Sequence, residues 1–127
     1  SNENSNDMVV YRPATGEHRK LPTTGVRPPK DQHCPMAFDP EAGRTVVVVD
    51  RAGDDRASVA ETWLFDLAAD AWTQIQSATL PYGMGMNYCM EYDPRHKVCL
   101  LVAANATATG RPVTVYALKV DAALSGK

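Results

Sequence analysis

Phe38-Asp39-Pro40-Glu41-Ala42-Gly43-Arg44-Thr45-Val46-Val47-Val48-Val49-Asp50 is the stretch on which the fold turns. Its first three residues recur as Tyr92-Asp93-Pro94, a step of 54 residues. The same step carries Tyr11-Arg12-Pro13 onto Phe65-Asp66-Leu67, Leu21 onto Ile75 and Met36 onto Met90. Two unrelated hairpins have no reason to keep one spacing, so the chain reads as an internal repeat. Inside the quoted stretch, Pro40 presets φ early in a turn and Gly43 supplies positive φ before the next run. The four consecutive valines read as a strand buried on both faces.

Working outward, each unit resolves into short β-type runs. Residues 34–39 form a first strand and 44–50 a second. Residues 51–61 are polar and without periodicity, and read as a long loop. Residues 62–67 and 71–76 are a third and a fourth strand, joined by Ala68-Ala69-Asp70. Position between two aromatic runs makes that tripeptide a hairpin turn and not the start of a helix. The second copy gives strands at 87–92, 97–103 and 112–120, with a loop at 105–111 and no convincing fourth strand. Before the first copy, 7–12 and 17–21 read as a third and a fourth strand. The inventory is nine strands. It divides the chain into 1–30, the second half of a unit with its connector; 31–83, a complete unit; and 84–127, an incomplete last unit.

A period near 50 built only from β-type runs points to blades of a propeller. The stretch Thr62-Trp63-Leu64-Phe65-Asp66-Leu67-Ala68-Ala69-Asp70-Ala71-Trp72-Thr73-Gln74-Ile75 resembles the kelch repeat: an aromatic-apolar-aromatic-Asp strand, a short turn, then a Trp-containing strand. The preceding Phe38-Asp39-Pro40 turn and valine strand resemble the galactose-oxidase-like variants of that repeat. The expected fold is therefore all-β, a kelch-like β-propeller portion with four-stranded antiparallel blades. The chain departs from the family pattern in three places, one of them the Trp63 position, which is Val9 in one direction and Tyr116 in the other. The paired glycines that should close the second strand are replaced by Asp50-Arg51-Ala52-Gly53 and Ala103-Ala104-Asn105. The Trp72 position is His18 in the N-terminal copy.

About two blades cannot close a ring, and a fragment would expose strand edges and apolar faces. The chain is thus expected to be the C-terminal part of a longer propeller, or to assemble with further copies of itself. The resemblance implies a binding or structural surface for protein or glycan. The alternative it implies is a segment of a secreted propeller enzyme, an oxidase or a carbohydrate-active one, with catalytic residues mostly elsewhere.

Bulk composition narrows the classes. Thirteen Lys and Arg against fifteen Asp and Glu give a net charge of −2, with the signs mixed along the chain. The nearest approach to a basic run is His18, Arg19 and Lys20, followed by Arg27 and Lys30, too sparse to track a phosphate backbone. Nucleic acid is not an expected partner. The longest apolar runs, 46–49 and 98–104, are strand-sized and too short to span a membrane. Residues 1–7 are polar and Asn-rich, with no signal peptide. The sequon Asn105-Ala106-Thr107 tilts localisation towards secretion without deciding it. Three cysteines cannot form a full disulfide framework. Cys89 and Cys99 lie on runs joined by a tight turn, so they either face each other as a disulfide or remain buried thiols.

Candidate functional residues are few. His33 with Cys34, and His96 with Cys99, are metal-ligand types, but a tetrahedral site wants about four converging ligands. Neither a metal nor a cofactor is expected. His96 reads as a solvated turn residue and His18 as a replacement for the packed tryptophan. Asp50, Asp54, Asp55 and Glu61 cluster around the long loop, where two carboxylates could serve acid–base chemistry or hold calcium. Arg51 and Arg56 would neutralise much of that field. Trp63, Phe65, Trp72, Phe38 and Tyr92 read as packing between neighbouring sheets. The most unusual segment is Tyr82-Gly83-Met84-Gly85-Met86-Asn87, a connector with two glycines and adaptable methionines. Its counterpart holds Lys30, Asp31 and His33. If a ligand binds, Tyr82, Met84, Met86, Asn87, Lys30, Asp31 and His33 are the candidates.

Overall fold

The computed structural model describes residues 8–29, 33–52 and 58–121. These residues build three separate antiparallel sheets. The first holds β1 (Val9–Arg12) and β2 (Glu17–Lys20). The second is a meander of β3 (Met36–Asp39), β4 (Arg44–Ala52), β5 (Ser58–Asp66) and β6 (Ala71–Leu80). The third holds β7 (Tyr88–Asp93), β8 (Val98–Ala104) and β9 (Val113–Leu118).

The 54-residue step survives as strand register. Val9↔Lys20 to Arg12↔Glu17 in the first sheet becomes Trp63↔Gln74 to Asp66↔Ala71 in the second. Met36↔Val47 to Asp39↔Arg44 becomes Met90↔Leu101 to Asp93↔Val98 in the third. The turns explain why. Gly16 and Asp70 take φ of 69° and 49°, and Gly43 and Lys97 take 64° and 56°, so each left-handed residue recurs one step later. Asp39, Asp66 and Asp93 each accept backbone N–H bonds through Oδ1 from the residues two and three positions on. A carboxylate that captures the turn amides and a left-handed residue that closes it hold one hairpin register wherever they recur.

The second sheet lies between the other two. Its run of four valines is 0–3% exposed. On one face Val47, Val49, Trp63, Phe65 and Trp72 pack with Leu21, Met8 and Val10 from the first sheet and its flanks. On the other, Val46, Leu64 and Ile75 meet Cys99, Leu118 and Val120, while Val48 meets Leu101, Met90 and Tyr116. Phe65 and Trp72 pair across strands with ring centroids 4.9 Å apart, tilted at 47°.

Several expectations are corrected. The kelch-like propeller is not what forms: the sheets have two, four and three strands, and none is closed or curled. The hairpin signals in the sequence act over a few residues, whereas closure depends on how whole sheets meet, and among the described residues each sheet keeps unpaired edges. Phe38, expected to pack, is 57% exposed, and Met36 beside it is 55% exposed. Both lie on the face shared with Val47, where the first sheet has only two strands and does not reach β3. Their repeats, Tyr92 and Met90, face the fuller second sheet and are partly buried against it. His18, placed like Trp72, is exposed for want of a neighbouring sheet beyond it. The long loop at 51–61 is largely strand, since β4 runs to Ala52 and β5 starts at Ser58. Cys89 pairs with Val102 and Cys99 with Tyr92, so the two thiols do not face each other and form no disulfide.

Two substitutions test this account. Trp72→Ala should cost about 3–5 kcal/mol, the range for emptying a buried aromatic site. Trp72→Phe should cost clearly less, because the buried indole Nε1–H has no partner to lose. Denaturant unfolding of both variants reads the difference. Gly43→Ala should cost about 1–2 kcal/mol from left-handed backbone strain alone, since no atom lies within 4 Å of the added methyl. Gly43→Asn should recover part of that loss, because Asn tolerates this conformation.

Candidate functional site

The connector from β6 to β7 was the sequence's first candidate, and the structure divides it. Tyr82 and Met84 are buried, 8% and 0% exposed, in the core between the second and third sheets. Met86 is 69% exposed, and Asn87 is also at the surface. What pins the segment is Asp50, two residues before the end of β4. Its Oδ1 accepts the Met84 N–H at 3.0 Å and its Oδ2 the Gly85 N–H at 2.8 Å. Gly85 takes φ of 61° to present that amide. Tyr82 Oη and Tyr116 Oη share a hydrogen bond at 2.6 Å, tying the connector to β9. Burial, followed by the Tyr116 hydroxyl, pushes the Tyr82 phenol up to about 12. In the counterpart connector His33 is exposed, while Lys30 and Asp31 fall outside the described residues.

The acidic cluster does not converge. Asp54 and Asp55 lie outside the described residues, as does Arg56. Asp50 pairs with Ala60 and Glu61 with Val49 in adjacent registers, so the two carboxylates point to opposite faces of the sheet. Glu61 is 6% exposed and accepts the Trp63 indole N–H at 2.9 Å and the Arg51 guanidinium at 2.5 Å. Both carboxylates therefore hold structure. Among the described residues no three His, Cys, Asp or Glu side chains come together as a metal site. His96 Nδ1 sits 2.6 Å from Asp93 Oδ2 in the exposed turn, and that contact leads the causes that lower the Asp93 pKa. Burial pushes the Cys99 thiol up to about 11.

A different surface emerges at the third sheet. Cys89, Val102 and Val115 form a row across β7, β8 and β9, and all three are exposed. Val102 is 38%, Val113 64% and Val115 63% exposed. Val102 and Val113, with Cys89, rim a shallow recess of about 450 Å³ shared with Ala104 and Arg111. The matching face of the second sheet, with Val46 and Val48, is covered by the third sheet, whereas among the described residues nothing covers this one. Sequence reading missed it because alternation marks two faces of β9 without saying which of them is covered.

Among the described residues no strand pairs with the outer edge of β9, and the backbone orientation of that edge follows from one bond. Asn105 N–H donates to the Pro112 carbonyl at 2.9 Å. Antiparallel pairs alternate, so residues 114, 116 and 118 bond towards β8. The backbone groups of Val113, Val115 and Ala117 point outward. On its inner side β9 borders a cavity of about 390 Å³ between the second and third sheets. Thr62, Ala78, Leu80, Tyr116 and Leu118 are among its walls.

No family profile, curated protein or solved structure matches the chain, so the kelch resemblance gains no support from relatives.

The connector's anchoring is testable. Asp50→Ala leaves two amides without their acceptor and should cost about 1–3 kcal/mol, with faster hydrogen exchange at Met84 and Gly85. Alkali should act through Tyr82. Below pH 10 the phenol is protonated in folded and unfolded chains alike. Between pH 10 and about 12 the unfolded phenol ionises first, so stability should fall as pH rises through that window. Tyr82→Phe should flatten that part of the curve, read by unfolding at stepped pH.

Proposed function

We propose that this chain is a binding or structural module for protein or glycan, working through the exposed outer face of its third sheet. The observation that carries the reading is the group of surface valines, Val102, Val113 and Val115, on one face of an ordered sheet. Contiguous apolar surface on a folded domain marks contact with another molecule more often than it marks chance. Arg111 stands beside the recess and supplies a polar contact of the kind interfaces favour. The sheet beneath is held by two ladders and by the Tyr82–Tyr116 bond, so the surface is presented on a rigid element.

The test is an association measurement on the intact chain. Sedimentation reads self-association, and a panel of purified neutral and acidic oligosaccharides reads glycan binding. Val113→Lys/Val115→Lys changes only exposed side chains and should leave the unfolding transition nearly in place. It should weaken whichever association the wild-type chain shows by at least about tenfold. Association that survives the double substitution would place the contact elsewhere on the molecule.

A further inference from the structure

We infer that the free edge of β9 accepts one further antiparallel strand from a partner chain. That strand has the chemistry of β6: an extended segment with an aromatic residue followed three positions later by an aliphatic one. The inference rests on the binding reading of the third sheet and names the occupant.

The template lies within the molecule. β9 is the counterpart of β5, one residue out of the main step: Thr45↔Phe65 in the second sheet matches Cys99↔Leu118 in the third, 54 residues on in one strand and 53 in the other. The N–H of Val48 donates to the Pro35 carbonyl. By alternation, Thr62 and Leu64 of β5 therefore bond outward to β6. Their counterparts on β9 are Val115 and Ala117, the residues whose backbone groups point to solvent. From Thr62 to Asp66 the second sheet thus shows the register of an occupied edge of this kind.

Two features of the third sheet match the side chains that β6 brings. Trp72 sits opposite Phe65 and fills the space between the first and second sheets. The matching position beside Leu118 opens on the apolar cavity between the second and third sheets, walled by Ala78, Leu80 and Tyr116. An aromatic on the added strand fills that cavity. Ile75 sits opposite Thr62 and packs on the other face. Its counterpart would lie beside Val115, 63% exposed as it stands. One strand therefore satisfies the free backbone edge, the empty groove and part of the bare valine face together. Strand addition to an open sheet edge draws affinity from main-chain bonds and specificity from alternate side-chain pockets.

The probe is a synthetic peptide with the sequence of Ala71–Leu80, titrated into isotope-labelled chain. Saturable chemical-shift changes are expected along β9, with amide exchange slowed at least about tenfold at Val113, Val115 and Ala117. The Trp72→Ala peptide should bind at least about tenfold more weakly. A peptide N-methylated at Ile75, whose N–H faces the edge, should not bind, and this control leaves the protein untouched. In the chain, Val115→Pro removes an outward N–H without removing a bond to β8 and should abolish binding. The inference is overturned by a peptide that leaves β9 unperturbed, or by one that binds equally well when N-methylated. If the peptide fails while Val113→Lys/Val115→Lys still weakens association of the chain, the strand is wrong and the binding face stands.

Discussion

A strand that is apolar on both faces needs a packed layer on each side, and β4 imposes that requirement on the whole chain. Val46 and Val48 face one way, Val47 and Val49 the other, and all four are buried. Each fully buried valine is worth roughly 1.5–3 kcal/mol of transfer free energy. No arrangement that exposes either face keeps that sum. The two-stranded first sheet covers one side and the three-stranded third sheet covers the other, and the rest of the architecture follows from supplying those two covers. Trp63, Phe65 and Trp72 widen one buried face; Leu64 and Ile75 widen the other.

The units that meet this requirement are made locally. In three hairpins an Asp at the end of one strand captures two turn amides, while in the first the Arg12 carbonyl accepts the Gly16 amide; in all four a residue in the left-handed region closes the turn. Gly16, Gly43, Asp70 and Lys97 all serve that second purpose, although two of them carry a Cβ. Because the turn sets which residues face each other, the ladders in successive sheets agree pair for pair. Connectors between sheets are fastened by separate devices. Asp50 holds the amides of Met84 and Gly85, and the Tyr82–Tyr116 bond reaches across to β9.

Function, on this reading, belongs to the places where the stacking pattern stops. The second sheet has a neighbour on both faces, while among the described residues the third has one only, so side chains of the same type that are core in one are surface in the other. The free edge of β9 adds a row of unpaired backbone groups next to an apolar groove. Natural sheets commonly blunt such edges with charge, proline or a covering element. β9 carries no charged residue between Val113 and Leu118, which is consistent with an edge meant for a partner.

The amino-acid sequence by itself determined the all-β character, the 54-residue step, the turn residues and the double-faced burial of 46–49. Those features depend on contacts a few residues apart or on a period read directly from residue types. It also placed Trp63, Phe65 and Trp72 in the core. Tertiary structure decided what periodicity cannot encode. Phe38 and Tyr92 occupy equivalent positions, yet one is solvent-exposed and the other half-buried, because the first sheet lacks strands opposite β3 and the second does not lack them opposite β7. Likewise Tyr82 and Met84 read as surface ligands but are core, since Asp50 draws their connector inward. The propeller expectation failed for the same reason. Repeat and register are local properties, whereas the closing of sheets into a ring depends on how every layer meets the next.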